Sequence, residues 1–379
     1  MKKLIILMLF LTSLISFCQH LNVKDFGAKG NGIENDTKAF LDAIAQLNKL
    51  FVSSNKPCVL FVPAGTYIID QTLVLNKFIS LHGEYVNTTI LKTNKTNISV
   101  LKTEENRDES QIYVGYNDIK DLTIKGPFAS FPYYSEKTQD KLNNKSIGIE
   151  IKGLRGRFNN LHISGFLGAA ISISNAYYTF INNSFLDGNA VGILIDDSST
   201  TAIVSNNELR HNSIGIIISN GSFGNFVTNN IIESNVAKFY SPDLNVKSEK
   251  TYSAGKGIII DNSFSNNINN NYFENHFINL TLINTEKNII SNNFVALSDF
   301  TLNRDPSQTF LQLIGFSNHN IIRYNTNTNI RQELDPYFMK LGDGDYSTTI
   351  IGMENEPVLL KEKRKIHRDA YTKLPEVVR

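Results

Sequence analysis

Between residues 238 and 256 the chain gathers Lys238, Tyr240, Lys247, Lys250, Tyr252 and Lys256 against Asp243 and Glu249. Ammonium groups interleaved with phenols suit an anionic partner, because lysine neutralises a carboxylate while tyrosine offers a flat face with a polar tip. A carbon-bound proton beside that carboxylate becomes removable once the charge is neutralised and the developing enolate is held. Tyr252, Tyr240, Lys256 and His211 are therefore the candidate bases or acids, with Lys152, Arg155 and Lys238 as carboxylate partners. A different chemistry needs two carboxylates, and Asp196 and Asp261 are the candidates for it. Read plainly, the same basic segment is a solvated loop, and the residues alone leave that alternative open.

The rest of the chain supplies no electrostatic background for these groups. Lys+Arg number 37 and Asp+Glu 36 in 379 residues, a formal charge of +1. No bulk drive toward nucleic acid or an anionic membrane follows from that balance. A composition of 41% hydrophobic against 19% charged residues excludes disorder. Two cysteines cannot build a disulfide scaffold or a four-cysteine metal site, and Trp is absent, so stacking falls to 15 Tyr and 24 Phe. His162 and His276 have no Cys or His at metal-ligand spacing. The expected inventory is thus no cofactor, with Ca2+ the one ion that Asp196 and Asp261 could hold; they could equally just bond Ser219 between them.

The first residues read as an export signal over 1–18: Lys2 and Lys3, an apolar run from Leu4 to Phe17, then Cys18 before Gln19 and His20. The run is too short for a membrane span, which needs roughly 20 residues. A periplasmic or secreted protein is expected. Lipidation of Cys18 is the less favoured alternative, because bulky Phe17 stands where a small residue is wanted. Cys58, in Pro57-Cys58-Val59-Leu60-Phe61, reads as a buried strand residue.

What must position the chemistry is a repeat. Gly148-Ile-Glu-Ile, Ala170-Ile-Ser-Ile, Gly192-Ile-Leu-Ile, Gly215-Ile-Ile-Ile, Gly257-Ile-Ile-Ile and Asn279-Leu-Thr-Leu begin at intervals of 22, 22, 23, 42 and 22 residues. Asn pairs at 159–160, 182–183, 206–207, 229–230, 270–271 and 292–293 keep the same period. Each unit holds three short apolar stretches with turns too short for a hairpin return. That pattern predicts an all-β, right-handed parallel β-helix with three strands per coil and like strands stacked ~4.8 Å apart. The Asn pairs then form ladders that satisfy turn backbone. Residues 19–58 should cap the open end, with a helix starting near Asp36 or Thr37, and the helix of coils should run to about 355 before a basic tail over 356–379. The glycines of this cap are not a phosphate loop, since no Lys-Ser/Thr follows them.

Val23-Lys-Asp-Phe-Gly-Ala-Lys-Gly-Asn-Gly, Asn35-Asp36-Thr37-Lys-Ala39 and Val62-Pro-Ala-Gly-Thr-Tyr67 resemble the opening of the pectate-lyase superfamily of right-handed β-helices, with its rhamnogalacturonase-like members. The resemblance implies an extracellular or periplasmic protein that handles polysaccharide, commonly one containing uronic acid, and a monomer is expected. On such a substrate the proton abstraction above becomes elimination across C4–C5 of a uronosyl residue. The enzyme is a lyase if C4 carries another sugar and a dehydratase if it carries a free hydroxyl at a non-reducing end. The hydrolase motifs of the polygalacturonase-type members are not matched; Asp196-Asp197 follows Ile195. An inverting hydrolase using Asp196 and Asp261, two coils or ~10 Å apart, is the runner-up, and carbohydrate binding without catalysis the third reading.

Interruptions of the repeat at about 127–145, 238–256, 298–309 and 326–337 share one angular position and should overhang the Gly-Ile-x-Ile strands. One outward column of those strands reads Lys152, Ser174, Asp196, Ser219, Asp261. The other turns aliphatic at Leu194, Ile217 and Ile259, where the 238–256 loop is expected to cover it.

Overall fold

The computed structural model describes residues 19–104, 116–128, 145–235, 255–276, 278–297, 309–323, 325–329, 339–341 and 346–351. The apolar runs are too short to hold a helix against the cost of nucleating one, and they fold as strands. One coil shows the plan: Val191–Asp196, then Ile203–Ser205, then Glu208–Arg210, one strand on each of three faces. Every strand pairs in parallel with its counterparts one coil away. Ile193 lies between Ile171 and Ile216, Val204 between Ile181 and Val227, and Leu209 between Leu186 and Ile232. The first face is a 10-stranded sheet; the other two merge into a 21-stranded one, because Arg157–Ser164 runs through both. The chain is a right-handed parallel β-helix, as its repeat predicts.

The first and third apolar residues of each Gly-Ile-x-Ile strand point into the lumen. Ile149, Ile171, Ile193, Ile216, Ile258, Leu280 and Leu311 make one buried column of the core. Each such side chain contributes roughly 2 kcal/mol by leaving water. Glycines 192, 215 and 257 stand where a Cβ would lie 2.5–2.6 Å from the carbonyl of the next coil, so a larger residue there must shift the backbone.

Turn backbone buried at the corners is satisfied by amide ladders. Asn207, Asn230, Asn271, Asn293 and Asn325 are buried and joined Nδ2 to Oδ1 at 3.0, 2.9, 3.1 and 2.9 Å. Each Oδ1 also accepts the backbone N–H of the preceding rung. Parallel ladders run through Asn225, Asn266, Asn288 and Asn320 and through Asn189, Asn212 and Asn235. The structure corrects the phase of two pairs. Asn159 and Asn182 are strand residues in register with Ser205, whereas Asn160, Asn183 and Asn206 share the left-handed position before the rung. The residues on the ladder itself in those two coils are Leu161 and Ser184. Asn is favoured at both kinds of position, by its tolerance of left-handed backbone and by its two-sided amide, so spacing alone did not separate them.

At the end, helix Thr37–Ser54 covers the lumen with Phe40, Ala43, Ile44 and Leu47. It starts where expected, with Asp36 at the N-cap, and its first N–H donates to Asn35 Oδ1 at 2.9 Å. Asp36 instead receives the backbone N–H groups of Lys29 and Gly30 at 2.5 and 3.2 Å, which organises the glycine-rich turn. Cys58 is buried in the Cys58–Val62 strand. Among the described residues no helix is long and apolar enough to cross a membrane. The 1–18 segment and the 356–379 tail lie outside them.

One ladder ends on a histidine. Asn235 Nδ2 donates to His276 Nε2 at 3.0 Å, which leaves Nδ1–H to donate to Asn279 Oδ1 at 2.9 Å. Burial pushes this imidazole from 6.5 down to about 4, against the opposing pull of Asn279. Between those values the unfolded chain binds the proton and the folded chain does not, so stability is full above about 6.5 and falls as pH drops toward 4. His276→Asn, which can extend the ladder without a titrating group, should narrow the difference in Tm between about pH 7.5 and about pH 5. Asn230→Ala removes an acceptor of two N–H groups and a donor to Val204 O and Asn271 Oδ1. It should lower unfolding stability by on the order of 3 kcal/mol in denaturant titration.

Candidate active site

The four interruptions of the repeat all leave the third face and return to the first, as the spacing predicts: between Lys125 and Ile147, Glu233 and Lys256, Leu297 and Thr309, and Asn329 and Met339. Between the first two of them, three coils cross from third face to first by short turns. In those turns a left-handed column reads Gly165, Gly188, His211. The column continues as Ser234 and Asn275 in the next coils, so the left-handed backbone belongs to this corner of the coil and His211 is the titratable side chain placed on it.

His211 reaches back one coil to Asp187, with Nδ1 3.0 Å from Oδ1. The carboxylate side chain is 9% exposed and the imidazole 27%. An imidazole that donates from Nδ1 to a carboxylate carries its lone pair on Nε2, the arrangement a general base requires. The strand register surrounds this dyad: Lys92, Lys125, Ser164, Asp187 and Arg210 follow one another in adjacent coils. Arg210 is committed to Glu208 and Glu233 at 2.9 and 3.1 Å, a half-exposed ion-pair stack. His162 stands beside the dyad, bonded through Nδ1 to Asn87 Oδ1 at 3.0 Å and packed on the Phe185 ring. Burial pushes its imidazole below the ordinary value; the Asp187 charge opposes this and Lys125 reinforces it. Its buried Nε2 has no hydrogen-bond partner.

The other candidates do not join this cluster. Lys152 and Arg155 lie toward the opposite edge of the first face. Lys152 is held through its backbone to Thr103 Oγ1, and its charge acts on Glu150. Burial works against the Glu150 carboxylate, but bonds from Lys102 and Ser99 and the charges of Lys102 and Lys152 hold it below the usual carboxylate range. Arg155 donates to Tyr116 Oη at 2.8 Å and lies between the Tyr116 and Tyr178 rings, 5.7 and 5.2 Å from their centroids. Asp196 Oδ1 accepts from Ser219 Oγ and Asn220 Nδ2 at 2.8 and 2.7 Å, and Asp261 Oδ1 accepts from Asn262 Nδ2 at 2.8 Å. Asp197 is a left-handed turn residue in column with Asn175, Asn220, Asn262 and Asn284. Among the described residues no three His, Cys, Asp or Glu side chains gather as a metal site.

Lys256 is not on the loop where the sequence placed it. It opens the Lys256–Asp261 strand between Ile214 and Ile278, 4% exposed. Outward-facing Ile217, Ile259 and Ile283 beside it are buried as well, in a small apolar cluster on the outside of the first face. That end of the face is closed, and the polar stretch around Glu150, Lys152 and Asp196 is the half-exposed one. Lys238, Tyr240 and Tyr252, and the cover expected from their loop, lie outside the described residues. Asp187 escaped the sequence reading, although its spacing of one period plus one residue from His211 carries the signal; so did Lys125, Tyr116 and Tyr178.

Stacked parallel coils with polar side chains gathered on a turn edge define a β-helix of the pectate-lyase type. Residues 20–240 match the family described as rhamnogalacturonase A/epimerase, pectate lyase-like, and the chain belongs to that carbohydrate-active family. A glucan 1,3-beta-glucosidase of Cochliobolus carbonum is 36% identical over 76 residues, 19% of this chain and 10% of that protein. The chain thus spans a small fraction of the curated relatives it matches. Among solved structures, the surface adhesin PfbA of Streptococcus pneumoniae superposes with a TM-score of 0.61 at 16% identity, over 88% of this chain and 85% of that one. A family 28 exopolygalacturonase of Yersinia enterocolitica gives 0.50 at 14% identity, over 89% and 79%. Both likenesses describe the fold.

The dyad has a direct test. Asp187→Asn presents an amide that can donate to Nδ1 and so force the other tautomer. Nitrogen-15 NMR of the imidazole should show Nδ1–H in the parent protein and Nε2–H in the variant, with the strand content of the circular dichroism spectrum unchanged.

Proposed function

We propose that the chain is an exported enzyme that eliminates across C4–C5 of a uronosyl residue in an acidic polysaccharide or its oligosaccharides. The observation that carries this reading is the His211–Asp187 dyad. Elimination needs one base for a weakly acidic C5 proton, and an oriented imidazole performs that task near neutral pH. Inverting hydrolysis needs a carboxylic acid and a carboxylate facing each other across a sugar. Asp196 and Asp261 are instead each bonded to a turn amide.

In this mechanism His211 takes the C5 proton, the C4–O bond breaks, and the departing oxygen is protonated from the imidazolium or from water. Lys125, two coils before Asp187 in the same column, lies on the side from which a sugar carboxylate would be neutralised, with Lys92 one coil further. Asp187 holds the tautomer. Lys152 and Arg155, at the far edge of the first face, suit a second carboxylate of a longer substrate. Acting on such a polymer outside the cytoplasm agrees with the Lys2–Cys18 export pattern.

Incubation with a panel of acidic polysaccharides and their oligosaccharides should produce the ultraviolet absorbance of a conjugated unsaturated uronate. His211→Ala should reduce that rate by about 10²–10⁴. Absorbance without new reducing ends identifies a dehydratase. New reducing ends without absorbance overturn elimination in favour of hydrolysis.

A further inference from the structure

On the edge between the first and second faces, far from the dyad, a column of isolated bridges stacks Tyr177, Thr200, Phe223, Phe264, Glu286 and Asn318 in successive coils. Phe223 and Phe264 lie with ring centroids 5.1 Å apart and planes within 3°, a two-rung aromatic stack. The third rung is Glu286, whose acyclic side chain cannot continue it. Where the third ring would lie there is a cleft of about 340 Å3, lined by Phe264, Phe316, Asn262, Asn284, Glu286 and Asn318. Its size falls within the roughly 300–1,000 Å3 of small-ligand sites.

The walls are built rather than incidental. Gly315 adopts a left-handed φ of 63° and approaches Asn284 so closely that a Cβ would lie 2.0 Å from Oδ1. The same Oδ1 accepts the Phe316 backbone N–H at 3.1 Å, which fixes the base of that aromatic residue. Phe316 is 68% exposed and Phe264 39%. Asn284 has spent its oxygen and keeps its Nδ2 donor; Asn262 has spent its nitrogen on Asp261 and keeps its Oδ1 acceptor. Two aromatic rings with a donor and an acceptor between them match the face and rim of a pyranose, apolar on its C–H face and hydroxylated at its edge.

We propose that this cleft is a sugar-binding subsite, separate from the dyad, in which a neutral pyranose occupies the vacant rung on Phe264. Neutrality follows from charge. Glu286 is the ionisable side chain lining the cleft, and Lys287 is spent on it at 2.9 Å, so the walls offer a uronate no uncompensated cation while the rings and amides suit a neutral sugar. The subsite would hold a neutral stretch or side chain of a mixed polysaccharide, and it does not depend on the proposed elimination.

Calorimetric titration of the full chain with cellohexaose, laminarihexaose and hexagalacturonate tests this directly. At least one neutral hexasaccharide should bind, about tenfold more weakly to Phe264→Ala and to Phe316→Ala, and with parent affinity to His211→Ala. Turnover of an acidic substrate, where present, should survive both phenylalanine substitutions. Failure of both neutral probes to bind, or parent-like binding by both phenylalanine variants, overturns the proposal. Binding of hexagalacturonate that the same two substitutions weaken equally overturns the assignment to neutral sugar. Loss of elimination in the parent protein would leave these outcomes untouched.

Discussion

The structure depends on buried amides passing hydrogen bonds from coil to coil. A parallel coil must turn three times within about 22 residues, and every turn drives peptide groups into a lumen with no water. A side chain that both donates and accepts, repeated at the same corner, satisfies its own turn and the next one together. Asn230 accepts from Asn207 and donates to Val204 O and Asn271 Oδ1, and Asn271 repeats the pattern one coil on. The arrangement is cooperative in one dimension, because each rung completes its neighbour. Where His276 replaces an amide it still accepts on one side and donates on the other, and it can do so only as the neutral ring.

With the lumen and corners fixed in this way, chemistry is confined to outward positions whose column is set by strand register. His211 and Asp187 meet because one residue stands at a turn position and the other at a strand end one coil earlier. The same rule separates Arg155, which belongs to the opposite corner. The two edges of the first face thus carry different surfaces: imidazole and carboxylate on one, and on the other the Arg155 sandwich and, beyond Thr200, the Phe223–Phe264 stack.

Much of the fold was legible in the sequence. The interval between Gly192 and Gly215 states the coil length, and the alternation in Ile193-Leu194-Ile195 states which side chains fill the lumen. The site was only partly legible. His211 stood out as a residue type, but Asp187 reads as one more polar residue until the coil period and the left-handed step at 211 are combined. Lys256 misled because charge was taken to mean exposure. It lies in a strand column whose other members include Ile147, Val191 and Ile214, and position in the column outweighs charge.

Sequence by itself therefore determined the coil, its period, the inward columns and the corner at which the repeat is interrupted, because these are one-dimensional properties that recur along the chain. Which outward side chains meet was decided by tertiary structure alone. Contacts between coils join residues 22 to 24 positions apart where no insertion intervenes, and a shift of one residue moves a side chain to a different face. The same shift separates Asn183 at its left-handed turn position from Asn207 on its ladder, and it brings His211 to Asp187.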